Sequence, residues 1–276
     1  MTPPATVRPA SALPRPLDLT YASNRAAATG LGLAILGARL LGHSWAGSLR
    51  VGLGTFTAWA IARELDPDVS ATATAAMPLA FLGLLGRPAS IEAGTPEGAA
   101  TLRHALPAFT ALSSARVLAA TAGPAASGQD AGALGVQAAL VALSSGSVAS
   151  LLPGAALEWA QRMDDYFSPP PWAGGAALAA GALPAAGRGA GSSVLGDLLS
   201  LAALGLSTHL AAPEPIRSGC DSGPRQISST RVQAARVLSL SSVALGLLRR
   251  ETRALAPLAA ACLSVGARRW RGQNGK

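Results

Sequence analysis

The sequence predicts an all-α fold, a multi-helix bundle of short Ala/Leu/Gly-rich helices embedded in a membrane. Apolar stretches of about 12 to 20 residues recur from Ala26 nearly to the C-terminus, divided by Gly, Pro or charge. Half of the 276 residues are hydrophobic and 13% are charged, against about 25% in ordinary soluble domains. No run of β-branched alternation indicates a strand. A soluble α-bundle or α-solenoid is the alternative, because arginines stand on nearly every connection (Arg50, Arg63, Arg87, Arg103, Arg217, Arg225, Arg249, Arg250). A multispanning protein concentrates them on alternate loops.

Residues 1–25 carry five prolines and read as a disordered or extended lead-in. An N-terminal helical bundle follows over 26–167. Its candidate helices are Ala26–Gly42, Val51–Ala62, Val69–Gly86 with Pro78 inside, and His104–Ala122 after a Pro/Gly loop between Gly86 and Glu97. The uncharged run Ala131–Ala156 is divided at Ser144-Ser145-Gly146-Ser147 and Pro153-Gly154. Residues 168–171 form a proline linker, since proline lacks the amide donor that a helix interior needs. The C-terminal segment, 172–267, holds an Ala/Gly-rich stretch to Gly187, a helix over Ser193–Ala212, a polar loop 213–230, and helices over Arg236–Leu248 and Ala254–Val265. Residues 268–276 form a basic tail beside anionic headgroups. A small-Ala-Arg-aliphatic-Leu pattern recurs at Arg39, Arg116 and Arg236, without a fixed period.

The net charge of +8 does not indicate a polyanion partner. Of 22 basic residues 21 are Arg, a bias that matches GC-rich coding, and they are scattered singly instead of gathered on one face with aromatics between them. Nucleic acid is therefore excluded as a partner. Cys220 and Cys262 match no metal spacing and fit a reduced, intracellular setting. The N-terminus has no apolar signal region, so the first internal segment would direct membrane insertion.

The sharpest candidate binding group is Arg63, Glu64, Asp66 and Asp68, at the end of a Trp/Ala-rich helix. Three converging carboxylates hold Mg²⁺ or Ca²⁺. The structural reading is a helix stop, with Asp68 near the next N-cap and Arg63 paired to one of the acids. Arg39 and Arg116 stand inside apolar segments, where a charge is costly in lipid and marks a functional position; near a segment end either can snorkel. Glu158, Asp164 and Asp165 form a second acidic group. The acids of the first group are two residues apart and interrupted by Pro67, unlike the aspartate-rich motifs of intramembrane prenyltransferases. His43, His104 and His209 are isolated, and no hydrolase nucleophile or phosphate-loop motif occurs. No catalytic residue, metal ligand set or cofactor is assigned.

Ala62-Arg63-Glu64-Leu65-Asp66-Pro67-Asp68, with the later run Arg116 to Gly123, resembles uncharacterised multispanning proteins of GC-rich bacteria over about residues 30 to 125. The resemblance implies a bacterial membrane protein and carries over no activity. The expected protein is multi-pass in the plasma membrane, with the lipid bilayer as its partner and a structural, binding or transport role. The alternatives are a cytoplasmic helical scaffold and an intramembrane Mg²⁺-dependent enzyme using the acidic clusters.

Overall fold

The computed structural model describes residues 11–15, 17–85, 97–145, 147–185, 191–222 and 224–274, without the side chains of 97–104 and 274. The expected Pro/Gly loop up to residue 96 lies outside them. So do residues 1–10, the Gly-rich run 187–190 and the last two residues. The described chain is all-α, with eleven α-helices and no strand.

Helices α1 (Ala22–Leu40), α2 (Trp45–Leu65), α3 (Ser70–Leu84) and α4 (Glu97–Ala119) come first. Then follow α5 (Gly128–Ser145), a 3₁₀ turn (Val148–Leu151), α6 (Leu152–Arg162) and α7 (Ala173–Gly181). The chain ends with α8 (Val194–Gly205), the single turn α9 (Ser207–Ala211), α10 (Ser229–Leu248) and α11 (Ala256–Asn274). Ser44 and Ser193 cap α2 and α8 through their hydroxyls, supplying an acceptor to N–H groups that lack one within the helix. The uncharged run splits after Ser145 as expected, where Ser147 caps the 3₁₀ turn, but not at Pro153-Gly154, which stand in the first turn of α6.

α2 is the central helix. It is buried along most of its length and packs on α1, α3, α4 and α11. Small residues make the close approaches: a Cβ on Gly52 would stand 2.5 Å from Ile35 Cγ1 of α1 and one on Gly54 3.4 Å from Pro257 Cγ of α11. α1 and α3 run antiparallel to α2, with Arg63 near Ser23 and Asp66 near Thr72. α11 runs parallel to it, since Pro257 faces Gly54 and Arg268 faces Asp66. α10 then returns antiparallel to α11, from Arg236 beside Leu65 to Gly246 beside Leu255.

The bundle therefore has two ends. One gathers the C-termini of α2, α4, α6 and α11 with the starts of α3 and α10; we call it the ion-pair end. The far end holds the start of α2, the end of α10 and the start of α11. α7 packs on α5 and α6, so the proline run 168–171 is a tight turn between contacting helices.

Several expectations need correction. Ser11 and Ala12 donate to Asp130, so the lead-in is docked at these residues. Arg268 and Arg269 belong to α11, which continues nine residues past Val265. Asp68 lies next to the N-cap of α3, Val69, which makes no side-chain bond.

Glycine substitutions test the packing. Gly154→Ala would press a methyl to 2.6 Å from the Leu178 backbone nitrogen and is expected to destabilise by about 1–3 kcal/mol. Gly132→Ala meets nothing within 4 Å and should stabilise α5 by roughly 0.5–1 kcal/mol. Thermal unfolding of the purified variants reads both.

Candidate functional site

The acidic segment after α2 reaches the ion-pair end, but its side chains diverge. Glu64 is fully buried. Its Oε1 accepts from Arg116 Nε at 2.8 Å and from Arg15 Nη1 at 3.4 Å, and its Oε2 accepts from Thr121 Oγ1. Arg116 also donates to the Leu13 carbonyl at 2.6 Å. Arg15 reaches on to Asp221 Oδ1 at 2.5 Å, and the Asp221 N–H donates to the Thr121 carbonyl at 3.0 Å. Glu64 thus joins α2, α4, the docked N-terminal segment and the 213–230 loop.

Asp66 faces the other way. Arg268 grips it with two bonds, Nη2 to Oδ1 at 3.0 Å and Nε to Oδ2 at 3.1 Å, while Thr72 Oγ1 donates at 2.7 Å. Arg268 forks to Glu214 as well, at 2.8 and 2.9 Å. Glu214 also takes Arg236 at 3.1 Å and Arg269. Burial pushes the Asp66 carboxyl above the usual range in spite of Thr72 and Arg268. Burial acts the same way on Glu214, yet the Arg268 hydrogen bonds and the charges of Arg268, Arg269 and Arg236 bring it down to about 2.

Asp68 holds the loop. Its oxygens accept from the N–H groups of Arg217 and Ser218 at 2.9 and 2.8 Å and from Ser218 Oγ at 2.6 Å. Although burial opposes it, these bonds hold its carboxyl below the ordinary value. The three acids are spent on separate partners instead of converging on a cation. Among the described residues no group of three His, Cys, Asp or Glu side chains could hold a metal ion.

Arg63 does not pair with an acid in the expected way; it donates to Ser23 Oγ at 3.0 Å and lies over the Trp59 ring at 5.6 Å. Arg39 closes its own helix end by donating to the His43 carbonyl, and it stacks on Trp45 at 4.8 Å. Of the three arginines of the recurring pattern, Arg39 bonds a carbonyl, whereas Arg116 and Arg236 each bond a carboxylate and a carbonyl.

Sequence reasoning missed Arg15, Thr121, Glu214, Arg231, Arg236 and Arg268. Arg231 is fully buried. It forks to Asp165 at 2.7 and 2.6 Å and donates to the carbonyls of Leu118 and Ala160 at 3.1 and 3.2 Å. That fork, helped by the Phe167 N–H, holds the Asp165 carboxyl below its usual range. Asp165 thus leaves the second acidic group for the ion-pair end. Arg236 carries the signal that singled out Arg39 and Arg116, a lone arginine followed by an apolar run. No family model, curated protein or solved structure matches this chain.

Chemically, the arrangement is a set of saturated ion pairs that fastens helices to one another. Breaking the buried Glu64–Arg116 pair from either side should cost about 3–5 kcal/mol. The double variant Glu64→Gln/Arg116→Met should lose less than the sum of the singles, as read by a double-mutant cycle in chemical unfolding. Additive losses would separate the two residues.

Acid should loosen the same end. Glu214 has a folded pKa of about 2 against an ordinary 4.5, so its stabilisation is complete above about 4.5 and is lost as pH falls toward 2. Asp66, shifted the opposite way, is favoured when protonated and partly offsets that loss. Glu214→Gln should flatten the acid limb of a stability–pH curve, and an unchanged limb would remove Glu214 from the network.

Proposed function

We propose that this chain is a multi-pass integral membrane protein of a bacterial plasma membrane, with a structural or binding role built on a helix bundle fastened at one end. The observation that carries the reading is the sorting of exposed side chains. Three outer helices turn leucine stripes outward at helical spacing: Leu33, Leu36 and Leu40 on α1, Val136, Leu140 and Leu143 on α5, and Val194, Leu198 and Leu201 on α8. Leu40 is 89% exposed and Val194 75%. In a water-soluble helix these stripes would face the core, and exposed apolar patches of this kind mark contact with lipid or a partner.

Dimensions support it further. α1, α2, α4, α10 and α11 have 19 to 23 residues, so each is about 28–35 Å long at 1.5 Å per residue, against a hydrocarbon core of about 30 Å. Pro78 and Pro107 stand inside α3 and α4, as membrane helices tolerate more readily than soluble ones.

A soluble helical scaffold is the second reading, and one observation favours it. Among the described residues only α10 is both long and apolar enough to cross a membrane, and more than half of its apolar window is buried in the bundle. Carbonate washing of membranes from cells expressing the tagged chain separates the two. Retention in the pellet is the expected result; release into the supernatant would leave the scaffold reading. Leu33→Arg sharpens the contrast. In lipid it should raise the insertion cost by about 2.5–3.5 kcal/mol and lower the inserted fraction, whereas on a wet surface its effect on stability stays within about 0.5 kcal/mol.

A further inference from the structure

Among the described residues five aromatic side chains are exposed: Tyr21, Trp45, Tyr166, Trp172 and Trp270, each between 46% and 68% accessible. They are not spread over the bundle. Four stand at the ion-pair end. Tyr21 precedes α1, two residues before Ser23, which accepts from Arg63. Tyr166 follows Asp165, the partner of Arg231. Trp172 precedes α7, whose Gly174 lies against Glu158 near the end of α6. Trp270 follows Arg268 and Arg269, which bind Glu214. The fifth, Trp45, opens α2 at the far end and carries Arg39 over its ring.

The large apolar side chains exposed between these two levels are aliphatic, among them Leu33 and Leu36 of α1, Val136 and Leu140 of α5, and Leu198 of α8. α1, with 19 residues, sets the levels about 28 Å apart at 1.5 Å per residue, close to the roughly 30 Å of a hydrocarbon core. Tyr and Trp rings are apolar with one polar atom, so they settle where hydrocarbon meets headgroups.

Arginine exposure is asymmetric as well. Among the described side chains Arg25, Arg162, Arg217, Arg225 and Arg271 are exposed at the ion-pair end. At the far end Arg249 and Arg250 are exposed, while Arg50 and Arg253 are buried. Arg225 lies 3.5 Å from the centre of the Tyr166 ring, so aromatic and cationic side chains share one rim. Exposed arginines beside a bilayer attract anionic headgroups, and their excess marks the cytoplasmic side.

We infer that the ion-pair end is the cytoplasmic face, where a rim of Tyr21, Tyr166, Trp172 and Trp270 with these five arginines seats on anionic phospholipid headgroups. The inference rests on the membrane reading and adds to it a lipid partner and a direction across the bilayer.

Cysteine accessibility in the full chain tests the direction. Cys220 and Cys262 are buried, so the parent sets the background for a membrane-impermeant maleimide. Ser229→Cys and Leu248→Cys place thiols at exposed positions on the ion-pair and far ends of α10. In intact spheroplasts Leu248→Cys should label to the level it reaches after permeabilisation. Ser229→Cys should stay at the parent's background until the membrane is opened. Thr20→Cys and Leu41→Cys repeat the comparison across α1 should an α10 variant accumulate poorly. The reverse pattern overturns the inference and leaves the membrane reading standing. Shielding of both thiols in spheroplasts, with the labelled chain in the soluble fraction after lysis, overturns the two together. For the headgroups, the thermal unfolding midpoint should be higher in phosphatidylglycerol than in phosphatidylcholine nanodiscs, as for any ligand that favours the folded state. The double variant Arg225→Gln/Arg271→Gln should narrow that gap. Equal midpoints for the parent, or a gap unchanged in the double variant, remove anionic lipid as the partner of the rim.

Discussion

A carboxylate in the last turn of a helix stands at the negative end of the helix dipole, where an acid is disfavoured. Glu64 occupies that position on the central helix and is fully buried as well. It persists because three donors converge on it, from α4 (Arg116), from the segment after α4 (Thr121) and from the N-terminal stretch (Arg15). Each donor lies at least 49 residues away in the chain. The carboxylate can be buried only when those segments are in place, and they gain their position from it. This mutual requirement ties the N-terminal stretch and the 213–230 loop to the helices.

The arginines at this end also solve a second problem. The C-termini of packed helices leave carbonyl groups without intrahelical donors. Arg236 donates to the Leu65 carbonyl at the end of α2, and Arg231 to Leu118 near the end of α4 and Ala160 near the end of α6. Arg269 closes α9 through the carbonyls of His209 and Ala212. A guanidinium has five donors in a rigid fork, so one side chain can cap a helix and pair a carboxylate together; a lysine ammonium cannot hold both in a fixed plane. GC-rich coding accounts for the supply of arginine, and this geometry gives the residue its use.

The helices themselves were legible wherever a segment was apolar and ended in Gly, Pro or Ser. α1, α3 and the division between α5 and α6 fall within a few residues of the expected bounds. α2 and α10 were read too short, because Arg50, Arg63–Glu64 and Arg231 looked like boundaries. They are interior or terminal helical residues, the charges of Glu64 and Arg231 are met by distant groups, and periodicity carries no information about a partner far along the chain. The same limit governs the site. Glu64, Asp66 and Asp68 were singled out as a group because adjacency suggested convergence, whereas the helix end and Pro67 turn them toward three different neighbours. Glu214 lay in a loop read only as polar, with nothing local to mark it as the acceptor for three arginines.

The two ends of the bundle use one residue type under opposite conditions. At the ion-pair end Arg268 meets two carboxylates and Arg231 one carboxylate and two carbonyls, so nearly every charge introduced there has a fixed opposite. At the far end two nitrogens of Arg50 face no acceptor although the side chain is just as deeply enclosed. Enclosure without acceptors is unfavourable for the folded state on its own, and the ion-pair end demonstrates that this chain can satisfy a buried guanidinium when only stability is at stake. The contrast within a single bundle separates arginines that fasten helices from one whose enclosed Nε and Nη2 atoms meet no acceptor.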